Sequence, residues 1–188
     1  MYYYDREFKF FMEDAVSQLT IVPTRTHLGR DAAAELGIPV LEASLEGDSV
    51  VLSKNGSKLT ASADPQPPSE QDVALFLHTS GTTSRPKGVP LTHANLMKSI
   101  SNIKNHYELT PDDTSIIVMP LFHVHGLMGA SLSTLNSGGS LVIPPRFSAT
   151  TFWDIQRENS ATWYSAVPTI HQILLMREIR RASCRERV

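Results

Sequence analysis

The sequence predicts an α/β fold, a mainly parallel sheet flanked by helices. Three observations carry this expectation. From residue 73 to 180, apolar strand-like runs alternate with stretches of helical periodicity. The run VALFL at 73–77 is continuously apolar, as a strand covered on both faces is. Thr92 and Pro168 stand where helices begin, one as a cap and the other as a first helical residue.

The elements follow in order. Phe8, Phe11, Met12 and Val16 recur at helical spacing, so a helix is expected within 5–17. LTIV at 19–22 reads as a short strand closed by Pro23, and a helix from Arg30 to Leu36 stops at Gly37. PVLEA at 39–43 reads as a strand, and residues 49–61 as a hairpin turning at Asn55-Gly56. The Pro-rich polar stretch 62–72 then reads as a linker between a first αβ lobe, 1–61, and a second, 73–176. In the second lobe Thr92 opens a helix expected to bury Leu96, Met97, Ile100, Ile103 and Tyr107. A turn at Pro111-Asp112-Asp113 leads to a strand at 115–120, and a small-residue helix spans 126–136. A strand at 141–144, a helix from Ser148 to Arg157, a strand at 161–166 and a helix from Pro168 complete it. Residues 177–188 form an Arg-rich tail.

Bulk properties bound the function. Of 188 residues, 41% are hydrophobic and 19% charged, an ordinary globular balance. The net charge of -2 lacks the basic footprint of a nucleic-acid binder, so no nucleic-acid partner is expected. The lone cysteine, Cys184, makes neither an internal disulfide nor a cysteine-rich zinc site, which points to a reducing compartment. No apolar run approaches the roughly eighteen residues of a membrane helix, and the start has no signal-peptide pattern, so a cytoplasmic protein is expected.

The chemistry is concentrated at 79–88, Thr-Ser-Gly-Thr-Thr-Ser-Arg-Pro-Lys-Gly. Gly81 and Gly88 permit tight turns, and successive main-chain N–H groups in such a loop make an anion-binding concavity. The hydroxyls of Thr79, Ser80, Thr82, Thr83 and Ser84 can donate to phosphate oxygens, and Lys87 adds a compact positive charge. The loop suits a polyphosphate. It is not the G-x-x-x-x-G-K-[ST] loop, because counting from Gly81 puts Pro86 at the second glycine and Gly88 at the magnesium-binding hydroxyl.

The string LFLHTSGTTSRPKGVPLTHANL at 75–96 resembles the signature of the adenylate-forming superfamily, which includes acyl-CoA synthetases, 4-coumarate–CoA ligases and peptide-synthetase adenylation domains. PLFHVHGL at 120–127, PPRF at 144–147 and YSAVPTIHQILL at 164–175 agree with it, and the first two motifs together look closest to oxalate–CoA ligases. The resemblance implies part of the large N-terminal domain of an AMP-forming ligase. It implies ATP with Mg2+, CoA as co-substrate and a carboxylic acid such as oxalate or an aromatic acid. It also leaves a peroxisomal address open to a full-length member. Lys87 is then the catalytic cation, and Thr79 to Ser84 with Gly88 hold phosphates. The position of His123 lines the acid tunnel, that of His125 contacts the acyl group, and that of Arg146 meets CoA phosphate. His93 and Asn95 belong to a recurrent structural turn, and Trp163 and Tyr164 are expected to pack in the core. No metal ligand set is expected, since His123-x-His125 has no third partner.

Later family motifs have no match: Tyr-Gly-x-Thr-Glu for adenine and magnesium, Thr-Gly-Asp for ribose, the hinge and the adenylation lysine. Two other expectations therefore stand beside the ligase: a catalytically inactive nucleotide-binding or interaction module, and an amino-acid adenylation domain.

Overall fold

The computed structural model describes residues 5–60, 64–79 and 86–185 of the chain. They form two compact units, one from the described residues of 1–69 and 75–91, the other from those of 70–74 and 92–188.

The first unit begins with helix α1, Asp5–Asp14, whose Phe8 and Met12 pack on Ala32 and Ala33 of helix α2, Leu28–Glu35. Those two alanines are fully buried, so the helices approach closely at a point where a longer side chain has no room. The start of α2 lies before the expected Arg30. His27 caps it, its Nδ1 accepting from the Gly29 N–H at 3.1 Å. Histidine is not among the usual capping residues, which is why the sequence pattern missed the boundary. Strands β1, Thr20–Pro23, and β2, Val40–Glu46, pair in parallel, while β3, Ser49–Lys54, and β4, Ser57–Lys58, follow antiparallel. The expected turn is present, with Asn55 and Gly56 at φ of 50° and 79°.

Strand β5, Val73–Thr79, pairs with β6, Lys87–Thr92. The sequence pattern places Lys87 and Gly88 in the loop 79–88; the structure places both on a strand. Only Val89 and Leu91 of the six residues from Lys87 to Thr92 are strongly apolar, so no hydrophobic run announces the strand. The expectation that VALFL is covered on both faces is also corrected: Val73 is 57% exposed and the next four residues are half-buried.

In the second unit Thr92 caps helix α3, His93–His106, in a capping box. Its hydroxyl accepts from the Asn95 N–H at 3.2 Å, and Asn95 Oδ1 accepts from the Thr92 N–H at 3.3 Å. The buried face of α3 is narrower than expected. Ile100 is buried, but Met97 is 46% and Tyr107 59% exposed, Tyr107 being turned to stack on Trp163 at 5.9 Å between ring centroids.

Strand β7, Thr114–Ile116, lies between two parallel neighbours. On one side it pairs with β8, Ser140–Val142; on the other, Ser115 bridges to Trp163. The strand expected at 161–166 is reduced to that bridge, because Tyr164 to Ala166 turn toward helix α6, Pro168–Arg185. The residues after Met176 continue α6 through Arg185. Ile116, Phe152 and Leu174 are each at most 2% exposed and form the centre of the core with Val118 and Ala161. Burial of each such side chain is worth about 1.5–3 kcal/mol. Helix α5, Phe152–Glu158, starts later than the expected Ser148.

The small-residue helix has an unexpected form. Residues His125–Leu132 are a π-helix, followed by α4, Ser133–Asn136. Side-chain hydroxyls bond back to its carbonyls: Ser131 to Gly126 O at 2.8 Å, Ser133 to Gly129 O at 2.8 Å and Thr134 to Ala130 O at 2.7 Å. These bonds occupy carbonyls that the wider winding leaves poorly served.

Candidate functional site

In the first unit, β5 delivers the chain to Thr79 and β6 receives it at Lys87. The Thr79 hydroxyl donates to the Lys87 carbonyl oxygen at 3.5 Å, holding the two strand ends together. Lys87 is exposed, and among the described residues its ammonium has no ion-pair partner, so it is open to an anion. Ser80, Gly81, Thr82, Thr83 and Ser84 lie outside the described residues.

Beside this strand pair is a cluster that the sequence reading passed over. His78 Nε2 meets the Asp14 carboxylate at 2.8 Å, and the imidazole is bracketed by Phe10, Phe11 and Phe76 at 5.7, 4.6 and 5.2 Å between centroids. A Cβ on Gly88 would collide with the Phe76 ring and stand 3.0 Å from Asp14 Oδ2. Gly88 is thus required for close approach, and at a φ that calls for no special backbone freedom. The one available signal was an imidazole, His78, directly after the apolar run 73–77.

In the second unit, β7 leads through Ile117 and Val118, both buried, to the exposed His123 and the half-buried His125. The His125 main-chain N–H donates to His123 Nδ1 at 3.2 Å, so in neutral His123 the proton sits on Nε2. Gly126 follows, and a Cβ there would lie 2.6 Å from the Met119 carbonyl oxygen. Only glycine lets the π-helix start so close to the end of the preceding chain. The His125 ring reaches across the fold, its Nε2 lying 2.8 Å from Ser165 Oγ. The segment bearing Ser165 is fixed on both sides. Trp163 O accepts from the Ile116 N–H at 3.1 Å, and His171 bonds the Tyr164 hydroxyl at 3.0 Å and Ala166 O at 3.2 Å. A carbonyl only accepts, so His171 Nε2 is the donor there and, in the neutral ring, the Tyr164 hydroxyl donates to Nδ1. Burial raises the Tyr164 pKa and keeps that proton in place. His171, read from sequence as without a role, and Tyr164 thus brace the segment. Tyr164 packs against the core as expected, whereas the half-buried Trp163 stacks on the exposed Tyr107.

Arg146 is exposed in the connection after β8 and forms no ion pair among the described residues. The resemblance implies magnesium with the nucleotide. Among the described residues no group of three His, Cys, Asp or Glu is placed to hold a metal ion by side chains alone, and no step is routed through one. No helix among the described residues is long and apolar enough to cross a membrane.

Comparison with known proteins gives a consistent answer. The chain is 48% identical over 181 residues to an oxalate–CoA ligase of Arabidopsis thaliana, an alignment covering 93% of this chain and 35% of the relative. It superposes on apo MatB from Rhodopseudomonas palustris with a TM-score of 0.73 and 30% identity, over 93% of this chain and 34% of that one. It also superposes on a malonyl-CoA ligase bound to methylmalonyl-CoA and AMP, with a TM-score of 0.66 and 28% identity, over 88% of this chain and 32% of the other. The chain therefore spans about a third of the length of the relatives it matches. The family model described as AMP-binding enzyme matches residues 2–186, and the chain belongs to that family.

Proposed function

We propose that the protein is part of an AMP-forming carboxylate–CoA ligase whose acid substrate is short and carries a second anionic group. In this reaction the carboxylate attacks the α-phosphate of ATP, giving acyl-adenylate and pyrophosphate; the CoA thiolate then attacks the acyl carbon and AMP leaves. The observation that carries the substrate class is the His125–Ser165 pair, which puts a polar, hydrogen-bonded imidazole where an apolar acyl chain would need an apolar wall. The oxalate and malonyl-CoA ligases among the relatives act on acids of this kind by their names.

The roles divide by unit. Thr79, Ser80, Gly81, Thr82, Thr83, Ser84 and Gly88 cradle the β- and γ-phosphates, and Lys87 offsets the charge that builds on the departing pyrophosphate. His123 and His125 meet the acid, and Arg146 meets a CoA phosphate. The functional segment is then 73–176, after the lobe 1–61 and the linker 62–72, with 177–188 as its Arg-rich end. A single cysteine suits a reducing compartment such as the cytoplasm or the peroxisome lumen.

Calorimetric titration tests this. The chain should bind ATP and, with the nucleotide present, bind oxalate or malonate more tightly than an aromatic acid or an amino acid. Preference for the aromatic acid or the amino acid overturns the substrate class. A second reading, an inactive nucleotide-binding module, rests on these 188 residues having no match to the adenine, ribose and adenylation-lysine motifs. It predicts ATP binding without acid-dependent pyrophosphate release by these 188 residues alone.

A further inference from the structure

We propose that Ser165 is a positioning residue for His125. Its hydroxyl holds the imidazole by Nε2 and so presents Nδ1, carrying a proton, to the second anionic group of the acid. The inference rests on the assignment of His125 to the acid pocket.

The hydrogen-bond arithmetic is the core of the case. Nε2 lies 2.8 Å from Ser165 Oγ, and among the described residues Nδ1 has no partner. A serine hydroxyl both donates and accepts. With a neutral ring it donates to Nε2, which leaves the proton on Nδ1. With a protonated ring it accepts from Nε2–H, and Nδ1 again carries a proton. Both states offer an N–H to an anion. The remaining state, a neutral ring protonated on Nε2, turns a lone pair toward the anion and is disfavoured when an anionic acid is bound.

The two partners are also rigidly mounted. The His125 main chain is tied to His123 Nδ1, and the next residue, Gly126, is seated against the Met119 and Pro120 carbonyls. Ser165 lies between Tyr164 and Ala166, both bonded to His171, and two residues after the Trp163 bridge to β7. A hydrogen bond between two such fixed groups, 40 residues apart, orients the ring at little cost in side-chain freedom.

The test is nitrogen-15 NMR of the histidine rings in the 188-residue chain, with the His125 signals assigned through His125→Gln. It is combined with calorimetric titration of malonate and of acetate as a one-charge control. The wild-type chain should show His125 protonated on Nδ1, with malonate shifting that resonance. Ser165→Ala should mix the tautomers and weaken malonate about tenfold, the size expected for losing one hydrogen bond to a partly buried polar group. Acetate should be little affected. Ser165→Thr, which keeps the hydroxyl, should restore both readouts. Unchanged tautomer and malonate affinity in Ser165→Ala overturn the role of Ser165 if His125→Gln still loses malonate. Unchanged malonate affinity in His125→Gln overturns the assignment of His125 itself.

Discussion

His78 and Asp14 form a 2.8 Å pair between the end of β5 and the end of α1, and three phenylalanine rings surround the imidazole. The His78 side chain is 12% exposed, so truncating its partner leaves a buried ring nitrogen unserved. Asp14→Ala should destabilise the chain by about 1 kcal/mol, the carboxylate being one-third exposed and partly screened. Urea unfolding followed by circular dichroism measures this; an unchanged midpoint would show the pair to be incidental.

Lys87 opens β6 with an exposed ammonium that has no ion-pair partner among the described residues. Lys87→Ala should weaken pyrophosphate binding about tenfold, as expected for losing a hydrogen bond to a charged group. Lys87→Arg should keep most of the affinity. Calorimetry with pyrophosphate distinguishes these outcomes, and full affinity in the alanine variant removes Lys87 from the phosphate site.

Gly126 and Gly129 make a matched pair in the π-helix. A Cβ at Gly126 meets the Met119 carbonyl at 2.6 Å, whereas at Gly129 it meets only the His125 ring at 3.4 Å. Gly126→Ala should cost about 2 kcal/mol or more, since main-chain atoms must move. Gly129→Ala should be nearly neutral. Thermal unfolding of the two variants side by side checks the contrast, and equal midpoints would contradict it.

Asp113 is held below the ordinary carboxylate pKa chiefly by the Thr110 main-chain N–H, at 2.8 Å, and then by the Thr162 hydroxyl, at 2.7 Å. A depressed folded-state value means that its contribution is fully present above the unfolded-state pKa. It is lost as pH falls through the lower folded-state value. Asp113→Asn should therefore flatten the acid limb of a stability–pH curve and leave its slope near neutrality unchanged. Urea midpoints measured from pH 2 to pH 7 give the comparison; an unaltered acid limb would assign the acid sensitivity elsewhere.

A polypeptide of these 188 residues spans about a third of its relatives' length. Adenylation requires α-phosphate, ribose and acid to be aligned together, and each ~1.4 kcal/mol of lost transition-state stabilisation is a tenfold loss in rate. No acid-dependent pyrophosphate release is expected from it. A coupled pyrophosphate assay with malonate decides this, and turnover would mean that unrecognised residues supply the missing alignment.

Local chemistry was enough for several of these features. The α/β class followed from the alternation of periodicities, the Asn55-Gly56 turn from residues that tolerate positive φ, and the Thr92 cap from a hydroxyl just before an amphipathic run. The hydroxyl-rich string 79–88 and the pair His123 and His125 were legible as binding candidates for the same reason: each is contiguous in sequence. Tertiary structure alone decided the rest. Strand β6 exists because β5 supplies its hydrogen-bond partners, and the strand expected at 161–166 shrank because the backbone there is committed to entering α6. The π-helix reflects the tight seat of Gly126 and the hydroxyls that bond back along it. Asp14 and His78 are 64 residues apart, and His125 and Ser165 are 40 apart. No periodicity links such pairs; only the folded chain brings together groups whose hydrogen bonds need an approach of about 3 Å.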